Sequence, residues 1–306
     1  MKIYITSKNG LVGKNLIDHN KSSNYEIIST SHSELDLTDY NEVEDYLGDN
    51  QPDLIIHCAG LVGGIQANIK APYDFFTENA TMGINIVRAS KKLGIKKLFN
   101  LSSSCAYPRN YPSPLKEDYV LQGELEPTNE GYALAKLAIL RMCEYLTKQS
   151  GGYQYKTLIP CNLYGMFDKF SPKNSHMIPA VIRKIHEAKV SNIDHVDLWG
   201  DGLSRREFMY AEDFADAVYF AIENFDKIPL TVNVGLGYDY SVEDYYKAVA
   251  EVIGWKGAFV KDLTKPSGMK QKMVDNSVLK SLGWEAKTSL KEGIQKTYKY
   301  FLEEEL

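Results

Sequence analysis

Cysteine is scarce in this sequence: Cys58, Cys105, Cys143 and Cys161 are the only four among 306 residues. None belongs to a C-x-x-C pair, which argues against zinc and thiol-redox motifs, and no metal site is expected. Thiols spaced so widely in a chain of this length fit a reducing, cytoplasmic compartment. Long apolar runs are also missing. No stretch approaches a bilayer span, and the run in Met1–Thr6 is too short for the core of a signal peptide, so no membrane partner is expected. Charge of one sign is hardly in excess: 35 Lys and Arg against 40 Asp and Glu leave a formal net charge of -5. Such a chain has no general attraction for nucleic acid or an anionic surface, so an anionic ligand must be held by a local basic pocket. There is no internal repeat and no low-complexity tract.

What is present is a regular alternation. Short apolar runs at Lys2–Thr6, Glu26–Thr30, Leu54–His57, Lys97–Leu101 and Lys156–Pro160 read as strands. Helix-length segments lie between or after them at Gly10–Asn20, Pro72–Leu93 and Gly131–Gln149. Strand–helix alternation predicts an α/β fold with a doubly wound, Rossmann-type parallel sheet and right-handed crossovers. Ligands in such sheets sit beyond the carboxyl ends of the strands. After residue 165 the pattern loosens. Met166–Ser175 reads as a loop. Helices are expected at Met177–Ala188, Ala211–Asn224, Val242–Ile253 and Leu290–Glu304, with strand pieces at Asp197–Trp199 and Thr231–Val234. The expected division is a dinucleotide-binding unit over 1–165, to which segments near 207–235 return, and a smaller α/β substrate lobe over 166–306.

Chemistry is therefore sought just after each strand. Ser7, Gly10, Leu11, Val12 and Gly13 join the first strand to the first helix. Glycines here let the backbone approach a pyrophosphate, and the helix start offers free N–H groups. Asp36 and Leu37 follow the second strand, where an acidic residue commonly meets the adenosine half of a dinucleotide. Tyr132 and Lys136 stand four apart and so share a helix face. A nearby ammonium is expected to lower the tyrosine pKa and make Tyr132 a general acid for a ketone under reduction, while Lys136 also holds the nicotinamide ribose. Ser102 and Ser103 directly follow the fourth strand, where a hydroxyl can bond the same substrate oxygen. Set beside the glycine loop, these residues make a specific constellation.

At this point the sequence resembles the extended short-chain dehydrogenases, and more narrowly the GDP-L-fucose synthase family. The likeness covers almost the whole chain. It rests on Val62-Gly63-Gly64-Ile65, Ser103-Ser104-Cys105-Ala106-Tyr107-Pro108 and Leu121-Gln122-Gly123-Glu124-Leu125-Glu126-Pro127-Thr128-Asn129-Glu130. It continues through Tyr132 and Lys136, Asn162-Leu163-Tyr164-Gly165, Asn174-Ser175-His176, Trp199-Gly200, Arg206-Glu207-Phe208 and Asn233-Val234-Gly235. The resemblance implies catalytic Ser103, Tyr132 and Lys136, and an epimerisation by Cys105 and His176 before reduction. Inverting a carbon beside a ketone needs a base on one face and an acid on the other, and a thiol and an imidazole both titrate near neutrality. The resemblance also implies a cofactor site that includes Leu101, Ser102, Pro160, Asn162, Leu163 and His176. The GDP diphosphate is expected on Lys184, Arg206 and Lys272, with Trp199 packed near the nucleotide or sugar.

The chain also departs from that family. Ser7 replaces the first glycine of the cofactor loop. Thr30 and His32 stand where the family carries arginines for the 2′-phosphate, but no acid at the strand end demands NAD; NADP(H) is expected and NAD(H) stays open. Lys184 replaces an arginine and Ser267 an aspartate, which points to a sugar other than the usual hexose. Two activities follow as expectations. One is reduction of the C4 ketone of a GDP-linked 4-keto-6-deoxy sugar after C3/C5 epimerisation. The other is C4 reduction alone, on a related GDP-4-keto sugar such as a heptose. A non-catalytic nucleotide sensor on the same fold is disfavoured by the intact Ser103, Tyr132 and Lys136. A homodimer paired through Pro72–Leu93 and Gly131–Gln149 is expected.

Overall fold

The computed structural model describes residues 1–149, 151–171, 175–265 and 268–304. In chain order its strands are β1 (Lys2–Thr6), β2 (Glu26–Thr30), β3 (Leu54–His57), β4 (Lys97–Leu101), β5 (Gln154–Pro160), β6 (Asn162–Tyr164), β7 (His195–Trp199), β8 (Arg205–Arg206), β9 (Phe208–Tyr210), β10 (Thr231–Val234), β11 (Tyr240–Ser241), β12 (Ala258–Asp262) and β13 (Gln271–Lys272). The helices are α1 (Leu11–Asp18), α2 (Tyr40–Asn50), α3 (Ile65–Lys70), α4 (Pro72–Lys92), α5 (Glu130–Lys148), α6 (Met177–Val190), α7 (Ala211–Glu223), α8 (Val242–Ile253), α9 (Ser277–Ser281) and α10 (Leu290–Glu304).

Six strands form one parallel sheet in the order β10-β5-β4-β3-β1-β2. Alternating side chains of the pleat feed two cores. Ile3, Ile5, Leu54, Ile56 and Phe99 face one side, with α1 and α7, while Tyr4, Ile55 and Leu98 face the other, with α2, α4 and part of α5. The chain changes direction across the sheet between β1 and β3. In open α/β sheets that reversal opens a crevice beyond the carboxyl ends of the strands. Ser7, Cys58, Ser102 and Cys161 follow the ends of β1, β3, β4 and β5, so the turns that follow gather at one edge.

A third core lies outside the sheet. Tyr164, Phe170, Ile182, Leu198, Tyr245 and Phe301 are buried together there, drawing α6, α8, α10 and β7 into one cluster. The parallel pair β7 and β12 covers part of it. Between β5 and β10 the chain builds β6, α6, β7, β8, β9 and α7, then returns to the sheet edge.

The expected strands and helices are present, with shifted ends. The first helix stops at Asp18, because the chain turns extended at His19 and enters a short 3-10 turn over Asn20–Asn24. α2, α3 and β12 were not anticipated. β12 lacks an apolar face, its side chains being exposed or half-buried, so its pairing with β7 leaves no periodic trace. Ser267, and Asn174 within the expected 166–175 loop, lie outside the described residues.

Candidate active site

The cofactor loop is shaped by backbone crowding. Ser7 adopts φ 66, the left-handed region that favours glycine, so the serine is accommodated at some strain. The Gly10 amide donates to the Ser7 carbonyl at 3.1 Å. Gly13 presses on that same carbonyl: a Cβ there would lie 2.9 Å from the Ser7 carbonyl carbon and closer still to its oxygen. α1 starts at once, with Gly10 as N-cap and no side chain capping its first turn. A cradle that a side chain would fill, opening on an uncapped helix start, fits a dinucleotide pyrophosphate. At the end of β2, the Lys8 amide donates to the Thr30 carbonyl and Lys8 Nζ pairs with Glu34 at 2.6 Å. Asp36 and Leu37 are not brought to the cleft wall. The Asp36 carboxylate accepts from the Thr38 amide and hydroxyl, and Leu37 is buried in the core with its carbonyl held by Asn85.

Beyond the loop, a cleft of about 550 Å³ runs along the sheet edge. Ser103, Cys105, Tyr132, Lys136 and His176 all line it, as do Leu101, Ser102, Pro160, Asn162, Leu163, Lys184, Trp199, Arg206 and Lys272. Tyr132 and Lys136 come from α5, whose start is fixed by Gly131 packed against the Pro72 carbonyl of α4. Ser103 hydrogen-bonds the Tyr132 phenol. Lys136 is buried, donates to the Leu101 carbonyl at 3.1 Å, and is pushed down to about 8 by burial, with Cys58 opposing the shift. The expected lowering of the tyrosine pKa is not found. Burial first, and the Cys105 charge second, push Tyr132 up, while Lys136 Nζ stands 5.8 Å from its ring centre. The phenol stays protonated, which is the form a general acid needs.

A second cluster adjoins the first. Ser103 caps a short 3-10 turn and accepts from the Cys105 amide at 3.2 Å. The Cys105 sulfur also receives Asn129 Nδ2 at 3.0 Å and Lys272 Nζ at 3.1 Å. Burial raises this thiol, but the Lys272 charge and the three hydrogen bonds together outweigh it, and the thiol titrates below its ordinary value. His176 is the N-cap of α6 yet makes no capping bond with its side chain. Its Nδ1 lies 3.6 Å from Asp168 Oδ1. Burial lowers the imidazole, but the buried Asp168 and then Cys105 raise it more, so His176 titrates above its usual value.

The outer cleft is cationic and aromatic. Trp199 is 42% exposed, with Lys184 Nζ 5.1 Å and Lys265 Nζ 5.6 Å from its ring centre. Arg206 lies on β8, between β11 and β13. Its neighbour Arg205 is exposed and pairs with the buried Asp239 at 2.6 Å. Glu207, next along, is fully buried and accepts from the amides of Leu236, Gly237 and Val274. Burial pushes its carboxyl up to about 7, held back by those three donors. Asn129, Asp168 and Lys265 were not singled out from the sequence. Asn129 sits in a recognised motif, but its bond to a sulfur 24 residues away has no local signature.

The sequence profile of the NAD dependent epimerase/dehydratase family matches residues 3–235. The chain belongs to this family. Within it, the chain is 53% identical over 304 residues to a GDP-L-colitose synthase of Yersinia pseudotuberculosis, covering 99% of each chain. It is 48% identical over 301 residues to a GDP-L-fucose synthase of Azorhizobium caulinodans, covering 98% of this chain and 96% of the relative. The resemblance to the GDP-L-fucose synthases drawn from motifs is thus borne out at full length. Among solved structures, a GDP-mannoheptose C4 reductase from Campylobacter jejuni with NADP bound superposes with a TM-score of 0.88 at 30% identity, covering 98% of each chain. This epimerase/dehydratase family member is an oxidoreductase on a Rossmann-type fold, and its cofactor is NADP(H).

Proposed function

We propose that this protein reduces the C4 ketone of a GDP-linked 4-keto-6-deoxy sugar with NADPH, after inverting the carbons beside that ketone. The observation that carries this reading is one cleft holding both sets of groups: Ser103, Tyr132 and Lys136 for reduction, Cys105 and His176 for epimerisation. Residues 1–165, with β10 added to their sheet, form the dinucleotide half in this reading, and 166–306 the sugar-nucleotide half. The cofactor lies on Ser7–Gly13, reaches the adenosine region near Asp36 and Leu37, and passes Leu101, Ser102, Pro160, Asn162 and Leu163. Lys184 and Arg206 meet the diphosphate, and Trp199 packs on the nucleotide or sugar.

Bound NADPH supplies the hydride. The chain's residues manage the protons. Cys105 and His176 face the substrate ring, one removing a proton beside the ketone and the other returning one to the opposite face. The raised Tyr132 phenol then gives its proton to the C4 oxygen while the Ser103 hydroxyl bonds the same atom. Lys136 holds the nicotinamide ribose and brings a positive charge to the site.

Two relatives bear on the product. The 53% identity to a GDP-L-colitose synthase makes the precursor of that sugar as strong a candidate as the precursor of GDP-L-fucose. The second reading, C4 reduction alone, is favoured by the likeness to the GDP-mannoheptose C4 reductase. Heavy water separates the two. Without NADPH, the protein is expected to place deuterium on the carbons flanking the ketone, and Cys105→Ser or His176→Asn should slow that uptake. No uptake, together with brisk NADPH oxidation on a pre-epimerised ketone, would refute the bifunctional reading. We also infer a cytoplasmic homodimer. The four cysteines are unpaired, and no helix among the described residues is long and apolar enough to cross a membrane. Tyr73 and Phe76 on α4 and Leu134 and Tyr145 on α5 are exposed apolar groups suited to a two-fold contact. A monomeric mass by light scattering would overturn the dimer.

A further inference from the structure

The Lys272 side chain was expected on the diphosphate, yet its ammonium sits deep in the cleft at 3.1 Å from the Cys105 sulfur. We propose that Lys272 is a positioning residue that keeps Cys105 as a resting thiolate, with Asn129 fixing the sulfur's orientation, so that the thiol side enters the epimerisation as the base. The proposal rests on the epimerisation reading above and names what sets its direction.

Three observations support it. First, a buried ammonium needs a counter-charge, and a thiolate at 3.1 Å supplies one. Second, the sulfur is held from two elements far apart in sequence. Lys272 lies in β13, whose backbone is locked to β8 in register Lys272 to Arg206, and Asn129 directly precedes α5. Asn129, the N-cap of α5, makes no side-chain capping bond, and its Nδ2 donates to the sulfur. Third, the opposite partner is tuned the other way. Asp168 stands at the His176 ring and favours its protonated form. The charged or titratable groups facing Cys105 are Lys272 from β13, Arg206 from β8, Tyr132 from α5 and His176 at the head of α6. Two of these are cations, and His176 adds a third when protonated. The cations favour a thiolate, and Tyr132, held protonated, adds no charge against it.

The proton transfers balance. A lone pair on the thiolate takes the proton from the carbon beside the ketone, and the C–H electron pair moves into the enolate. The sulfur becomes a thiol. Imidazolium N–H then delivers a proton to the opposite face, the enolate pair forms the new C–H bond, and His176 is left neutral. A proton passing from thiol to imidazole through solvent restores the resting charges. Nothing is oxidised or reduced.

The test is the pH dependence of Cys105 alkylation by iodoacetamide in the NADP-bound protein, read at the Cys105 peptide by mass spectrometry. Wild type should show a midpoint below that of an ordinary thiol, which titrates near about 8.5. Lys272→Met should raise the midpoint by about one pH unit or more and slow alkylation at neutral pH by roughly tenfold or more. Lys272→Arg keeps the charge and should restore a low midpoint. Should the Met variant fail to fold, Lys272→Gln removes the charge while keeping a polar chain. A midpoint unchanged in the Met or Gln variant overturns the role of Lys272. Deuterium uptake by wild type is scored separately. A shifted midpoint without uptake sinks epimerisation and leaves the thiolate assignment standing, whereas uptake without a shift sinks the role of Lys272.

Discussion

Replacing Gly13 by alanine tests the cofactor cradle directly. The new methyl carbon would stand 2.9 Å from the Ser7 carbonyl carbon and closer to its oxygen, both backbone atoms that no rotamer change can move aside. Relief requires the loop and the start of α1 to part by about 1 Å, which also stretches the Gly10 amide bond to that carbonyl. Overpacking of this kind costs about 1–3 kcal/mol, and a lost hydrogen bond about 1. Alanine's better helix propensity returns about 1 kcal/mol, so the fold should survive. Cofactor affinity should not, because a misplacement of about 1 Å at a positioning element costs on the order of 100-fold. Gly83→Ala is the control. Its Cβ would meet the Ile139 side chain at 2.5 Å, between α4 and α5 and away from the loop. Titration of NADPH fluorescence should show a roughly 100-fold weaker Kd for Gly13→Ala and a nearly unchanged one for Gly83→Ala. A Gly13→Ala Kd within about threefold of wild type, or an equal loss in Gly83→Ala, would refute the argument.

Other expectations concern single side chains. Tyr132→Phe keeps the ring's packing and removes the proton, so reduction should fall by roughly 100- to 10,000-fold with NADPH binding nearly intact; turnover above a tenth of wild type would remove Tyr132 from its role. Lys136→Met should abolish activity yet stabilise the fold at neutral pH. The folded pKa is lowered to about 8 from 10.5, so the cost of burying the charge is fully present below about pH 8 and is relieved as pH rises toward the unfolded value. That cost is about 3 kcal/mol, so the stability advantage of Lys136→Met over wild type in urea unfolding should shrink between those pH values; an advantage that grows with pH would contradict the assignment. Glu207→Ala strips three amides of their acceptor and should cost more than about 3 kcal/mol in urea unfolding, while Glu207→Gln, which keeps an acceptor oxygen, should lose far less. Equal losses in the two variants would show that one acceptor oxygen does not suffice there and that the site needs both oxygens of the carboxylate.

The parts of this molecule that could be read in the sequence are those governed by short-range periodicity. β1, β3 and β4 are nearly all buried, so each is an apolar run that ends where the loops begin. Tyr132 and Lys136 are linked by helix geometry alone, and Gly13 by a turn seven residues from β1. What escaped notice depends on long-range closure. Lys272 and Cys105 are 167 residues apart, and only the addition of β13 beside β8 brings them together. Asp168 sits in a segment that reads as plain loop, with no pattern marking its carboxylate as the buried one. The wrong sign for Tyr132 has the same origin. Helix spacing placed an ammonium nearby, but only the packed structure shows the burial that raises the phenol and the 5.8 Å that separates Lys136 from its ring.

Arg206 and Glu207 are neighbours that face opposite ways. One looks into the cleft, and the other is bonded to amides following β10 and β13. The cleft-lining arginine is therefore registered, through Glu207, to the segments that follow β10 and β13. Trp199 on β7, Lys184 on α6 and Lys265 just past β12 stand instead around a core of their own. For anyone wishing to redirect this scaffold to another sugar nucleotide, the two walls are unequal starting points. The Trp199 side is an interchangeable module, while the Arg206 side is part of the frame.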